Sequence, residues 1–373
     1  MRTTGALGAT FVIRPATFVP PAWPIGRCPP RGGPSSFGGM ATERARHHRL
    51  RSVLALFLLA PLIGEFLLGN QPITALPSVF LLAPLYGGGA LLVREATRRA
   101  GRGWPTMILL GAAYALIEEG PVDQMLWNPH YGGFDLGAAY AGMRVPLLDT
   151  GVQLLQDVLT LHTVWSICVP IALVEAFAGD GDRTRPWLGL PGLSATALVF
   201  TAGSGFLALA QVRSEDFVAA PEQFTAAGVL IAVLITAAFL CRPPRARHTT
   251  GRPPPSPWVV GALSFAATSA YWGREYLPDG VPPAVPVLGW ALLVAAVLVP
   301  CVRWARSERW TGAHRLGLAG GALLTYAWVG FEQARYLDVS RATGLIGNAV
   351  FATGALALLA AAVAAVRPAR ALR

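Results

Sequence analysis

The stretch RLRSVLALFLLAPLIGEFLLGN, Arg49 to Asn70, decides the fold. Two arginines lead into an apolar run whose only charged residue is Glu65. At about 1.5 Å per residue, a helix of ~20 apolar residues crosses the hydrocarbon core of a bilayer. Runs of this kind recur from Ser52 to the C-terminus. Of the 373 residues, 53% are hydrophobic and 13% charged, where a soluble domain carries roughly 25% charged residues. Mean hydropathy is +0.48. The chain therefore reads as an integral membrane protein whose first partner is the lipid bilayer.

The formal net charge of +10 is not a nucleic-acid footprint, and no nucleic-acid partner is expected. The basic residues cluster between apolar runs, where membrane topology places them. All of them are arginine, which excludes a Schiff-base lysine and a phosphate-loop lysine. The four cysteines, Cys28, Cys168, Cys241 and Cys301, form no CxxC pair, so neither a disulfide framework nor a structural zinc site is expected.

The periodicity predicts an all-α, polytopic bundle of about ten spans: roughly 52–69, 74–93, 105–122, 152–177, 188–210, 224–241, 257–272, 283–303, 313–331 and 343–366. The head carries Arg44, Arg46, Arg49 and Arg51, and most alternate loops after it are rich in Arg, for example Arg94, Arg98, Arg99 and Arg102; in the fourth-to-fifth loop Asp180 and Asp182 offset Arg183 and Arg185. The intervening loops are neutral or acidic. By the positive-inside rule both termini are cytoplasmic and the chain sits in a bacterial cell membrane. Residues 1–39, rich in Pro, Gly and Arg, are expected to be disordered, with Met40 the expected start of translation. The membrane domain is 40–366, and 367–373 is a basic tail. Trp104, Trp187, Trp258, Trp272 and Trp304 fall near span ends, where an interfacial belt is expected.

Ionisable groups inside spans are expensive and mark candidate sites. Counting residues places Glu65, Glu118 and Glu119 at one level, roughly 6 Å from the outer surface, and His162 roughly 15 Å deep. All lie within residues 52–177. Tyr114, four residues before Glu118, is placed to donate a hydrogen bond to it. Asp157 lies above His162, and Tyr114 and Asp157 are the expected proton relay or polar support. Pro121 is expected to end or kink the third helix. The bland alternatives are a solvated helix end for Glu118 and Glu119 and a core histidine for His162. Arg94 and Glu95 read as interfacial, and Glu175 as lying outside any site.

The stretches YGGGALLVREATRRAGRGWP, LLGAAYALIEEGPVDQ and LTLHTVWSICVPIALVE together resemble segments of uncharacterised bacterial, actinobacterial-type multi-pass membrane proteins. A Glu-Glu pair on one helix and a His on a later one is also similar, in part, to the CAAX-protease and bacteriocin-processing intramembrane metalloproteases. Of that family's EExxxR and FxxxH motifs, only Glu118, Glu119 and His162 match; Asp123 stands at the Arg position and Val158 at the Phe position. That likeness implies a membrane metallohydrolase with Glu118, Glu119 and His162 as catalytic groups. A divalent metal such as zinc, held by Glu118 and His162, would need a third ligand, for which Glu65 is the candidate on depth. The same residues suit a proton- or cation-coupled transporter. A scaffold would need none of them. The sequence leaves these readings, and whether the chain is an enzyme, open.

Overall fold

The computed structural model describes residues 36–133, 136, 143–240, 253–278 and 280–366. Most of the Pro-rich extension and the tail expectation at 367–373 lie outside them. The chain divides into a unit Met1–Arg44 and a unit Ala45–Arg373, which holds the membrane domain.

Long helices occupy all ten apolar runs. They are α1 (Ser36–Pro61), α2 (Val79–Arg99), α3 (Trp104–Ile117), a rod built of α4 (Val152–Leu161) and α5 (Val169–Phe177), α6 (Leu190–Glu215), α7 (Pro221–Leu240), α8 (Pro257–Gly273), α9 (Ala284–Trp304), α10 (Gly312–Gln333) and α11 (Arg341–Val366). Helix α1 begins before Met40, so the last residues of the stretch expected to be disordered are helical. Among the described residues, seven helices are long and apolar enough to cross a membrane: α1, α2, the α4–α5 rod, α6, α7, α9 and α11. Helices α3 and α8 are shorter, at 14 and 17 residues, and α10 is less apolar.

Burial sorts the helices into centre and periphery. Of the most apolar stretch of each, 67% is buried in Val152–Phe177 and 56% in Ile73–Arg99, but none in Leu190–Glu215. Leu198, Phe206 and Leu209 of α6 are exposed, which suits a face against lipid tails. Helix α10 is central despite its lower hydropathy, with Leu316, Leu323, Tyr326 and Val329 buried. It approaches α8 through glycines: a Cβ on Gly321 would lie 2.4 Å from the Gly261 carbonyl oxygen, and one on Gly317 2.5 Å from that of Pro257. Small residues at such crossings let helix backbones approach closely.

With Pro84 and the three glycines Gly87 to Gly89 inside it, α2 runs unbroken from Val79 to Arg99. Its glycines seat three neighbours. Consecutive helical positions point about 100° apart, and here a Cβ on Gly87 would meet the Phe57 backbone of α1, one on Gly88 Phe200 of α6, and one on Gly89 the Tyr114 ring of α3. Gly87 lies over the carbonyl of Phe57, to which Pro61, four residues on and lacking an N–H, cannot donate.

Candidate functional site

Three π-helical turns carry the candidate residues. Leu62–Leu67 extends α1 and contains Glu65; Glu118–Val122 extends α3 and begins with the acidic pair; His162–Cys168 joins α4 to α5 and begins with His162. A π turn takes an extra residue into the helix, re-aims the side chains around it, and is found frequently at functional sites. Pro121 sits inside the second of these turns, and the chain leaves the helix only at Gln124, in the left-handed region with φ of 59°. The helix thus ends later than Pro121 suggested.

The acidic pair does not face solvent. Glu118 is fully buried, Glu119 is 6% exposed and His162 7%. The imidazole bridges the two carboxylates. His162 Nε2 lies 2.7 Å from Glu119 Oε1, and Nδ1 lies 2.6 Å from Glu118 Oε2 and 3.2 Å from Ser166 Oγ. Neighbouring helical positions diverge, but so do the two nitrogens of an imidazole, and one ring therefore reaches both. The Glu119 contact is an aligned hydrogen bond. Among the described residues, neither Glu118 oxygen has an aligned hydrogen-bond partner, nor does Glu119 Oε2.

Glu65 joins this centre through a residue that the sequence reading missed. The Tyr86 hydroxyl donates to Glu65 Oε1 at 2.5 Å, and the Tyr86 ring centroid lies 6.3 Å from that of His162. Gly64 makes the approach possible, because a Cβ there would sit 3.0 Å from Tyr86 and 3.1 Å from Ser166. Tyr86, directly before the three glycines of α2, and Ser166, one turn after His162, were the available signals.

Two expected supports behave differently. Tyr114 is buried beside Glu118 and His162, with ring centroids of Tyr114 and His162 6.4 Å apart, but its hydroxyl is out of hydrogen-bond alignment with Glu118. Asp157 turns to α8, where it accepts from the Tyr271 hydroxyl at 3.1 Å and pairs with Arg274. The loop after α3 closes over the acidic end. Tyr131 donates to Asp123 at 3.3 Å, Trp127 Nε1 to the Leu148 carbonyl at 2.8 Å, and the Ala219 amide to Gln124 at 2.7 Å.

The candidate metal ligands are engaged with one another or with neighbouring side chains. The imidazole nitrogens face Glu119, Glu118 and Ser166, and Glu65 is engaged by Tyr86. Among the described residues, no group of three His, Cys, Asp or Glu side chains is arranged to hold a metal. His314 caps α10 instead, accepting from the Thr311 amide at 3.1 Å.

A second buried polar cluster lies at the opposite end of α2, and it corrects the reading of Arg94 and Glu95 as interfacial. Both are 0% exposed. Arg94 pairs with Glu95 at 2.7 Å and Glu175 at 3.0 Å, and Arg98 pairs with Glu175 at 2.8 Å. Arg94 Nη2 also donates to the carbonyls of Arg183 and Arg185 at 3.1 Å, while Glu95 accepts from the Trp187 and Leu188 amides. Trp187 is no belt residue: its ring lies 3.2 Å under the Arg94 guanidinium. Every strong group in this cluster has a partner, as a structural clasp requires.

A family model described as an uncharacterised membrane protein family matches residues 54–370, most of the membrane domain. The chain belongs to that family. Comparison with curated proteins and with solved structures gives no match.

Proposed function

We propose that this family member spans the bacterial cytoplasmic membrane ten times, with both termini inside, and couples proton movement to transport through its Glu118–His162–Glu119 centre. The observation that carries this reading is the single imidazole held between two buried carboxylates. Two carboxylates against one imidazole leave excess negative charge where charge is costly, and a proton is the smallest group that balances it.

The surroundings suit exchange of that proton. With His162 neutral, Nε2–H donates to Glu119, Nδ1 accepts from the Ser166 hydroxyl, and the proton resides on Glu118, whose oxygen lies 2.6 Å from Nδ1. With His162 protonated, Nδ1–H is directed toward Glu118 or the Ser166 oxygen. A hydroxyl can donate or accept, so Ser166 satisfies the ring in both states. Glu65 and Tyr86 form a second protonatable station beside the first. Intramembrane carboxylate and histidine chains of this kind serve as proton relays in pumps and transporters. The metallohydrolase reading has less support, because among the described residues no group of three His, Cys, Asp or Glu side chains is arranged to hold a metal.

The test uses proteoliposomes with a pH-sensitive dye inside and imposed Na⁺, K⁺ or voltage gradients. The wild-type protein is expected to change lumenal pH under at least one gradient, and Glu119→Gln to abolish the change while keeping the fold. No protein-dependent pH change under any gradient, or one unaltered in Glu119→Gln, would refute the proposal.

A further inference from the structure

Away from the polar centre, a groove of about 410 Å³ opens between α1, α5 and α11 at the end of the bundle where α1 carries its arginines. Such a volume falls within the range of small-molecule sites. One stripe of α1 lines it and changes chemistry along its length. His48, Arg51 and Ser52 come first, then Ala55, then Leu58, Leu59 and Leu62, spaced three to four residues apart and so on one helix face. Val174 and Phe177 of α5 and Leu358 of α11 form the other walls. His48 and Arg51 are exposed, and Arg51 makes no ion pair or hydrogen bond with a described residue. Arg49, on another face, is committed to Asp182 at 3.0 Å.

We propose that this groove binds an anionic phospholipid, with the phosphate at His48 and Arg51 and one acyl chain along Leu58, Leu62 and Leu358. The charge gradient selects this occupant. An apolar slot alone would take any lipid tail, whereas the Arg51 guanidinium at its mouth, with the His48 imidazole beside it, favours a negative headgroup. The order of groups along α1, cation then small residue then leucines, matches the order headgroup, glycerol, chain. The inference is independent of the proton-handling proposal, since it uses none of the same residues.

The experiment is native mass spectrometry of the full chain in uncharged detergent with added phosphatidylglycerol or phosphatidylcholine. Wild-type protein is expected to retain phosphatidylglycerol over phosphatidylcholine by about fivefold or more for the cationic mouth. The double variant His48→Ala, Arg51→Ala is expected to lose the preference but still bind both lipids weakly. Ala55→Trp, which fills the groove and keeps the charges, is expected to release both. Equal retention of the two lipids by wild type, or a preference unchanged in the double variant, would overturn the proposal. So would equal retention of a free fatty acid and phosphatidylglycerol, which would make the occupant any anionic amphiphile. Co-migration of two chains that blocks lipid uptake would assign the groove to a second copy instead.

Discussion

At the scale of single residues, His162 is the pivot, and its neighbours predict how variants divide. Glu119→Gln keeps an oxygen that can accept from Nε2–H at the 2.7 Å contact but removes the charge, so folding is expected to survive while proton coupling is lost. His162→Ala is different in kind. It leaves two buried carboxylates without their shared partner, and breaking a buried charge pair typically costs about 3–5 kcal/mol. Thermal unfolding in detergent should therefore separate the variants, with Glu119→Gln close to wild type and His162→Ala well below it. Adding Glu119→Gln to His162→Ala should recover part of that loss, because one stranded charge is gone. Equal destabilisation in all three would argue against the bridged arrangement. The four residues Glu65, Glu118, Glu119 and His162 were legible in the sequence because each is an ionisable group in an apolar run. Tyr86 and Ser166 were not, since a tyrosine or serine in a membrane helix is ordinary and only the fold shows what it touches.

At the scale of elements, the bundle depends on close backbone contacts that glycine permits. A Cβ at Gly87 would lie 2.0 Å from the Phe57 carbonyl oxygen, a backbone atom that cannot swing aside. Gly87→Ala is therefore expected to push α2 from α1, with overpacking of about 1–3 kcal/mol or more. It should also weaken the Tyr86–Glu65 bond one residue away. Gly101, by contrast, has open space around it but φ of 63°, so alanine there would cost only the smaller left-handed strain of about 1–2 kcal/mol. A thermal-shift comparison of the two checks the ranking. Length and hydropathy predicted where the helices lie but not the π turns. These depend on which carbonyls find donors in the packed bundle, and no hydrophobic period records that. The Arg94–Glu175 clasp was hidden for a related reason. Arg94, Glu95 and Arg98 stand at a helix end, where charges normally meet headgroups; their burial follows from the 178–189 segment folding back over them.

At the scale of the whole molecule, the side of the membrane on which the loop after α6 lies turns on α3. With its π turn, α3 covers Trp104–Val122, yet it is not among the seven helices that meet the length and hydropathy requirement on their own. If those seven alone cross, and the head is inside, the loop after α6 falls in the cytoplasm. If α3 crosses as well, that loop lies outside. The structure gives α3 a reason to cross that hydropathy cannot count. Its polar residues Tyr114, Glu118 and Glu119 are turned inward onto His162, so they do not meet lipid. Ser214, exposed near the end of α6, reports the difference, while Ala305, exposed just after α9, is cytoplasmic in both topologies and serves as the internal control. In a cysteine-free background, Ser214→Cys is expected to react with a membrane-impermeant thiol reagent added to intact cells. Ala305→Cys should react only after the membrane is opened. Protection of Ser214→Cys in intact cells would place α3 on one side of the membrane and remove the ten-span topology, while the contacts around His162 would still have to be explained.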